Sequence, residues 1–434
     1  MENKAESLRE LVRAATEMED LGIPTGIVYD LVMKILFTEG EASLKRLGDV
    51  MCTHPNAIDK LVEQMQHDHL VEVARAGAGR FSYIFKLTDA GGIRARDALD
   101  RSQYIGPAPL PIEWYIQSVM LQSLSGNMKV TPEIVQKALS HLILPETFHR
   151  SIGPAINGGT SLFLYGPPGN GKTTVAEAIA RLLQGSDPIF MPWAVTVAGH
   201  VITLFDPVIH KKADVDRKAM GDVDPRWAII ERPIVMVGGE LTMDALELRY
   251  EESAKFYEAP LQMKANCGMF LIDDFGRQQI SPAQLLNRWI VPLESHRDYL
   301  RLRTGQAVEV PFQQLIVFST NLDPGDLVDG AFMRRIQMKV GVQSPDLKMY
   351  FRLFKVMSEL LKVPFDEASF KHLIQEWYQK PNRTMQAVHP RDVLKIVKAL
   401  CEYEGSPYHM SPALIDEACG NYFVDAEPAQ KLTL

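Results

Sequence analysis

A short glycine-rich run near the middle of the chain has the residue types needed to hold phosphate groups. The run is GPPGNGKT at residues 166–173, and it matches the pattern G-x-x-x-x-G-K-[ST]. Its glycines allow backbone N–H groups to converge on phosphate oxygens, while the following helix adds the positive end of its dipole. We expect Lys172 to reach the β- and γ-phosphates and Thr173 to ligate Mg²⁺. The residues expected to contact the nucleotide are Gly166, Pro167, Pro168, Gly169, Asn170, Gly171, Lys172, Thr173 and Thr174.

Two adjacent carboxylates are placed to complete such a site. The apolar run GMFLI ends at Ile272 and is followed directly by Asp273 and Asp274. One carboxylate of such a pair holds the shell of the metal ion, and the second polarises the water that attacks the γ-phosphate. We expect Asp273 to act with Thr173 on Mg²⁺ and Asp274 to act on the water. The pair therefore predicts hydrolysis of the bound nucleotide.

The elements that position these residues follow from the pattern of apolar runs. Between residues 160 and 345, short apolar runs alternate with helical stretches. Each run has strand length and is apolar at nearly every position, as is typical of strands buried on both faces. The clearest runs are SLFLY, PIVMV, GMFLI and QLIVF. After residue 345 only helical patterns follow, so we predict the α/β class, with a parallel sheet over residues 151–345 and a helical lid over residues 346–434.

The loop, the acidic pair and their order resemble those of the AAA+ ATPases, which implies that the nucleotide is ATP. Three further segments match in the family's order. Asn321, at the end of QLIVFSTN, resembles the first sensor, which orients the water. Arg334 and Arg335, in DGAFMRRIQ, resemble the segment whose arginine finger acts on the γ-phosphate of the adjacent subunit. Arg391, in HPRDVLKI, resembles the second sensor, which lies over the nucleotide.

The second acid departs from the usual pattern of the family. The AAA+ ATPases usually have glutamate where Asp274 stands, although initiator-type members also carry a paired aspartate. One methylene fewer would leave the carboxylate farther from the water. The sequence therefore leaves open whether Asp274 supports fast hydrolysis.

Two segments before the first sensor resemble insertions that contact substrate in some AAA+ proteins. The runs DYLRLR and AVEV flank TGQ, which predicts a hairpin. Its position resembles the pre-sensor hairpin of MoxR-like, enhancer-binding and helicase-type members, and implies that Arg297, Arg301 and Arg303 face substrate or solvent. In residues 238–260, Phe256 and Tyr257 are candidate grip residues, with core aromatics as the alternative. Residues 190–231 predict a small β element without an assigned role.

The first hundred residues carry three helical patterns followed by two strand-like runs. In the third helical stretch, Ile58, Leu61, Val62 and Met65 have the spacing of a buried helical face. The runs LVEVARA and FSYIFKLT flank GAG, as expected of two strands joined by a glycine turn. The order resembles a winged helix, whose third helix often enters the major groove of DNA. We therefore expect a winged-helix module over residues 1–105.

The charge of this module weakens the DNA-binding interpretation. Residues 1–100 hold 12 Lys and Arg against 17 Asp and Glu. Because phosphate neutralisation supplies most non-specific affinity for DNA, an acidic module lacks that contribution. Protein docking is favoured, and DNA contact stays open. The proline-rich YIGPAPLPIEWY is interpreted as a linker, so residues 106–150 are expected to lead from the module into the core.

The whole composition is that of a globular chain of about three domains. No apolar stretch reaches the length of about 18 residues that a membrane span needs, so membrane insertion is not expected. The amino terminus lacks the order of a secretory signal, which predicts a cytoplasmic location. Four widely spaced cysteines and unclustered histidines predict neither a disulfide framework nor a zinc site. The net charge of −8 confines any nucleic-acid contact to a local groove.

These observations predict a ring-forming, Mg²⁺-dependent ATPase that remodels or threads a protein target. The resemblance implies a homo-oligomer, with a hexameric ring as the expected assembly. Two alternatives stay open. One is a DNA-acting regulator, loader or translocase that uses the winged helix, and the other is a switch that binds ATP with little hydrolysis.

Overall fold

The computed structural model describes residues 2–77, 79–140, 146–322, 325 and 333–423. The α-helices are α1 (Glu2–Leu11), α2 (Thr25–Glu39), α3 (Leu44–Met51), α4 (Pro55–His67), α5 (Asp89–Arg101), α6 (Ile112–Gln122), α7 (Pro132–Ala138), α8 (Glu146–Gly158), α9 (Lys172–Gln184), α10 (Leu261–Lys264), α11 (Pro282–Ser295), α12 (Leu347–Leu361), α13 (Glu367–His372), α14 (His389–Glu404) and α15 (Pro412–Tyr422). Short 3₁₀ turns cover Glu19–Leu21, Arg80–Ser82, Arg217–Met220 and Asp244–Leu246, and Leu373–Gln379 is π-helical.

The N-terminal module, residues 2–105, packs helices α2 to α5 against a small antiparallel sheet, while α1 packs against α6. Its strands are β1 (Glu41–Ser43), β2 (Val71–Arg75) and β3 (Ile84–Leu87), in the order β1-β3-β2. The predicted helices and strand pair are present, while β1, which has three residues, was not predicted. Ile58, Leu61, Val62 and Met65 of α4 are all buried, as their spacing indicates. From α2 onward, the chain order is therefore helix, strand, two helices, two strands and a closing helix, α5.

The proline-rich stretch after this module, interpreted from the sequence as a linker, is packed against its surroundings. Residues Leu110–Pro111 form a short buried strand, β4, and α6 begins at the next residue. Tyr104 and Ala108 lie in the same apolar cluster as the module's core, which also includes Ala194 and Val201. Proline removes backbone donors, but an edge strand and the first turn of a helix both tolerate that loss. The module is thereby fixed against the rest of the chain.

A parallel five-stranded sheet, the core sheet, forms the centre of the α/β region. Its strands are β5 (Ser161–Tyr165), β10 (Ile234–Val237), β13 (Met269–Ile272), β16 (Leu315–Thr320) and β17 (Met338–Gly341). All pair in parallel, in the order β10-β13-β16-β5-β17. The four predicted runs are confirmed as β5, β10, β13 and β16, whereas β17 was not predicted. This arrangement fits a P-loop α/β core.

A second five-stranded sheet, the side sheet, joins the N-terminal module to the core. Its strands are β4, β7 (Ala194–Val197), β8 (His200–Thr203), β11 (Arg249–Glu251) and β12 (Phe256–Glu258), in the order β11-β12-β8-β7-β4. Strands β6 (Ile189–Pro192) and β9 (Trp227–Ile230) form a separate two-stranded antiparallel sheet. The predicted β element of residues 190–231 is therefore present, and residues 238–260 extend it. Tyr257 is buried and Phe256 is partly buried against the N-terminal cluster, so both are core aromatics.

The predicted hairpin is present as β14 (Arg297–Arg301) and β15 (Ala307–Pro311). Its inner face buries Leu300, Val308 and Val310 in the same cluster as the side sheet. Asp298 of β14 is buried on the same face, and Arg288 of α11 binds its carboxylate over 2.6 Å. The hairpin is thus anchored to both the side sheet and α11.

Helices α12 to α15 and the π-helical segment form the C-terminal helical region, residues 346–423. Their shared core contains Tyr350, Phe354, Leu394 and Ile415. The four predicted helical stretches are confirmed here. Within the described parts of the chain, none of the helices has the length and apolar character that crossing a bilayer requires.

Candidate functional site

The glycine-rich loop, the acidic pair and Asn321 meet at one edge of the core sheet because β16 lies between β13 and β5. In the register of these parallel strands, Ile272 pairs with Phe318 and Thr320 pairs with Tyr165. The glycine-rich loop begins directly after Tyr165, and the acidic pair begins directly after Ile272. Ligands of open α/β sheets bind at the carboxyl ends of the strands, and all three strands end here.

The glycine-rich loop takes backbone conformations that favour glycine at three positions, Gly166, Gly169 and Gly171. Gly166 has φ +137°, and a Cβ there would lie 2.3 Å from the carbonyl oxygen of Val342. Gly169 has φ +73°. Helix α9 begins at Lys172 without a side-chain cap, so its first N–H groups remain available to an anion. The loop therefore has the backbone of a phosphate-binding turn.

The Lys172 ammonium lies inside this turn. Its Nζ donates to the carbonyl oxygens of Gly166 and Pro167, each over 2.9 Å. Burial lowers the pKa of Lys172, and the carboxylates of Asp274 and Asp273 oppose that effect. The nearby carboxylates thus favour the charged form, which is the form that attracts phosphate.

Thr173 and Asp273 bring two oxygen ligands together. The Thr173 hydroxyl donates to Oδ2 of Asp273 over 2.9 Å. Mg²⁺ is bound by one or two protein oxygens together with phosphate oxygens and water, so this pair suits that ion. Among the described residues, no group of three or more His, Cys, Asp or Glu side chains could hold a metal ion. The donor set therefore agrees with magnesium bound together with a phosphate.

Asp274 is held in an unusual backbone conformation beside Asn321. Its φ is +49°, a left-handed conformation that is uncommon for residues other than glycine, although aspartate adopts it more often than most. Nδ2 of Asn321 donates to Oδ1 of Asp274 over 2.9 Å. Gln278, which sequence reasoning missed, donates from Nε2 to the carbonyl oxygens of Asp273 and Asp274, over 2.8 and 3.2 Å. Nothing in the sequence around Gln278 signals this contact.

A cavity of about 470 Å³ lies between this edge of the sheet and the C-terminal helical region. Its polar wall is formed by the glycine-rich loop, the acidic pair and Asn321, and its apolar wall includes Leu353, Met357 and Val388. Arg391 also lines the cavity, and its Nε donates to Asp392 over 2.7 Å. One polar and one apolar wall suit the phosphates and the base of a nucleotide.

The C-terminal helical region touches the glycine-rich loop directly. Val388 N donates to the carbonyl oxygen of Gly169 over 2.8 Å. Asn170 is 5% exposed, and its Oδ1 accepts from the N–H of Ala387 over 3.1 Å. Its Nδ2 donates to the hydroxyl of Ser344 over 3.2 Å. The Asn170 side chain is therefore bonded outside the loop.

The two arginines proposed as a finger differ in their surroundings. Arg335 is partly buried, and its Nε donates to Glu294 of α11 over 2.7 Å. Arg334 is exposed, with no ion pair to any described residue. Neither lines the cavity of this chain. Residues 326–332 of the same segment lie outside the described residues.

Two family matches cover parts of the chain. Residues 162–206 match the ATPase family associated with various cellular activities (AAA). Residues 346–421 match a domain of unknown function (DUF8689). A vesicle-fusing ATPase from Dictyostelium discoideum is 26% identical over 112 residues, which span 25% of this chain and 14% of that protein. The AAA match includes the glycine-rich loop and supports an AAA+ ATPase.

Several solved structures are similar to part of the chain. NtrX from Brucella abortus in complex with ADP is 14% identical, with a TM-score of 0.40 over 79% of this chain and 63% of that one. A mutant RuvB from Thermotoga maritima is 14% identical, with a TM-score of 0.35 over 69% of this chain and 72% of that one. Likenesses at this level do not define the fold, which rests on the strand order and on the loop described above.

Proposed function

We propose that this chain is a Mg²⁺-dependent ATPase that works as a ring and remodels or threads a protein target. The observation that carries the proposal is the pair of contacts at one edge of the core sheet, Thr173 to Asp273 and Asn321 to Asp274, each 2.9 Å long. Both pairs line the same cavity as Lys172. This combination supplies a phosphate cradle, a metal ligand pair and an oriented carboxylate.

Each group then has one role in hydrolysis. The loop and Lys172 hold the β- and γ-phosphates, while Thr173 and Asp273 hold the magnesium ion, which neutralises phosphate charge. Asp274 accepts a proton from the attacking water, and Asn321 keeps that carboxylate in place. The C-terminal helical region acts as a lid, because Arg391 extends from it toward the nucleotide.

ATP turnover by the purified chain tests the proposal and separates it from an ATP-binding switch. We expect Lys172→Ala to lose nucleotide binding, since Lys172 is the only lysine among the described residues that lines the cavity. We expect Asp274→Asn to keep binding and to lose at least about 10²-fold in turnover, the usual size of general-base catalysis. Turnover that is negligible in the wild type and unchanged in Asp274→Asn would favour the switch.

For the ring, we propose Arg334 as the finger and Arg335 as a structural residue. Arg335 is already paired with Glu294 of the same chain. An exposed arginine that does not line its own cavity is free to contact the nucleotide of a neighbouring subunit, where charge develops in the transition state. This assignment gives each active site residues from two subunits.

For the N-terminal module, we propose a winged helix that docks on protein. Every Lys and Arg of α4 and of the β2–β3 hairpin has a carboxylate partner within the chain. The pairs are Lys60 with Glu17, Arg75 with Glu41, Arg80 with Asp59, and Lys86 with Glu72. A helix and wing whose cations are matched by carboxylates carry little net positive charge, and so offer little of the phosphate neutralisation that supplies non-specific affinity for DNA.

A salt titration distinguishes protein docking from the DNA-acting alternative. If the chain acts on DNA, duplex or single-stranded DNA should stimulate ATP turnover, and the stimulation should fall steeply between 50 and 200 mM salt, a range in which phosphate contacts lose roughly 10³–10⁵ in affinity. We expect no such stimulation. A steep, salt-dependent response would replace the protein target with nucleic acid.

A further inference from the structure

We infer that Asn170 is a positioning residue that fastens the lid to the phosphate-binding loop and so sets where Arg391 stands over the nucleotide. The inference rests on the proposed function, because it assigns Arg391 to that nucleotide. The inference goes beyond the proposed function because it gives Asn170 a role other than contact with phosphate.

The geometry of Asn170 separates it from the rest of the loop. Phosphates are held by backbone N–H groups, so a loop of this kind does not need the side chain at this position. The Asn170 side chain is nearly fully buried, and both its amide nitrogen and its amide oxygen are bonded to residues of other segments. An asparagine that donates and accepts in fixed directions suits a link between two chain segments.

The two partners of Asn170 stand where the lid meets the core. Ser344 lies between the end of β17 at Gly341 and the start of α12 at Leu347, so it belongs to the connection that leads into the lid. Ala387 lies two residues before α14 begins. One side chain therefore bridges the entry to the lid and the loop that precedes the arginine helix.

The neighbouring Gly169 lies in close contact with the same junction. A Cβ on residue 169 would lie 2.7 Å from Oε1 of Gln386 and 2.8 Å from Cγ1 of Val388. The Val388 N–H also donates to the carbonyl oxygen of Gly169. Since α14 begins at the next residue and carries Arg391 in its first turn, fixing residues 386–388 fixes the direction from which Arg391 approaches the cavity.

The test measures the lid rather than hydrolysis. Spin labels carried by unnatural amino acids replace Asn287 on α11 and Glu404 at the end of α14, both of which are exposed. Double electron–electron resonance spectroscopy then measures the distribution of distances between the core label and the lid label, with and without ADP. We expect one narrow distribution in the otherwise unaltered chain. In Asn170→Ala and Ser344→Ala we expect a second population to appear, because loss of one hydrogen bond with a buried partner shifts the equilibrium toward the loosened lid about tenfold.

Three controls make the result specific. Ser344→Thr keeps the hydroxyl and should keep the narrow distribution. Asn170→Ala with Ser344→Ala should be no broader than Asn170→Ala alone, because the shared contact is already lost in the single variant. The midpoint of thermal unfolding shows whether each variant is folded, and Ser344→Ala lies outside the phosphate-binding loop.

Wild-type distributions in both alanine variants would overturn the inference, and so would additive broadening in the double variant. The distances measured without nucleotide do not depend on ATP hydrolysis. A chain that binds no ATP but loosens its lid in Ser344→Ala would therefore contradict the proposed function and leave the positioning role of Asn170 intact.

Discussion

The side-chain amide of Asn321 donates a 2.9 Å hydrogen bond to the carboxylate of Asp274, although 47 residues separate them in the chain. The contact exists because β13 and β16 are neighbours in the core sheet and end at the same edge. Thr320 also donates from its hydroxyl to the carbonyl oxygen of Phe275 over 2.8 Å, which ties the two strand ends together. The carboxylate is thus oriented by the sheet itself.

The first prediction concerns this orientation. We expect Asn321→Ala to bind ATP with nearly unchanged affinity and to lose roughly 10²-fold in the rate of single-turnover hydrolysis, the usual effect of a misplaced catalytic group. Combining it with Asp274→Asn should cost little more than Asp274→Asn alone, because Asn321 then has no base to orient. A weaker affinity at an unchanged rate would instead assign Asn321 to nucleotide binding.

Much of this edge of the sheet could be predicted from the sequence. Strands buried on both faces are apolar at nearly every position, so β5, β10, β13 and β16 are visible as runs. The glycines, Lys172 and the acidic pair follow two of these runs at fixed spacing. Local patterns therefore predict the loop and the acidic pair, but not Gln278.

The remaining elements depend on partners that are remote in sequence. Strand β17, MKVG, carries a lysine and a glycine and has no local strand signal. Strand β4 contains a proline and exists only because it pairs with β7, more than eighty residues later. The contacts of Asn170 with Ser344 and Ala387, 174 and 217 residues away, are likewise invisible to spacing arguments.

The second prediction concerns Gln278. Its amide nitrogen donates to the carbonyl oxygens of Asp273 and Asp274, and its Oε1 accepts from the N–H of Gly276 over 2.8 Å. These contacts hold Asp274 in its positive-φ conformation. We expect Gln278→Ala to lower ATP turnover at least about tenfold, because a displaced base loses its geometry.

The matched control for Gln278 is the next residue. Gln279 is exposed, and we expect Gln279→Ala to keep wild-type turnover. Steady-state hydrolysis and nucleotide affinity should be measured for both variants. Equal turnover in the two variants would show that the turn holds Asp274 without Gln278.

The third prediction concerns the pH dependence of stability in the N-terminal module. Lys34 is 4% exposed, and its Nζ donates to the carbonyl oxygen of Ser102 over 3.2 Å. Burial lowers the pKa of Lys34 to about 8, against 10.5 for an ordinary lysine, and Asp30 opposes the shift. Between these values the unfolded chain binds more protons, so this group makes the free energy of unfolding rise with pH. Below pH 8, where Lys34 is charged in the folded chain as well, the buried charge lowers the free energy of unfolding by its full amount.

Replacing Lys34 with methionine should remove that effect. We expect Lys34→Met to raise the unfolding midpoint at pH 7, because an apolar side chain of similar length replaces a buried charge. The difference from the wild type should shrink as pH approaches 10. Calorimetry across this range measures it, with Lys45→Met, at an exposed position of the same module, as the control. A difference that stays constant with pH would contradict the account.

The fourth prediction separates Arg334 from Arg335 and tests the ring. Arg334→Ala should bind ATP and fail to hydrolyse it, since the arginine serves a neighbouring site. Arg335→Ala should retain most activity and lose well under about 1 kcal/mol of stability, because its ion pair with Glu294 is partly exposed.

Mixing Arg334→Ala with Lys172→Ala should restore hydrolysis at interfaces where an intact loop meets an intact finger. Such interfaces make up about a quarter of a random equal mixture in a closed ring of identical subunits. Hydrolysis that stays absent at every mixing ratio would remove the shared site and leave a chain that hydrolyses ATP, if at all, with its own residues.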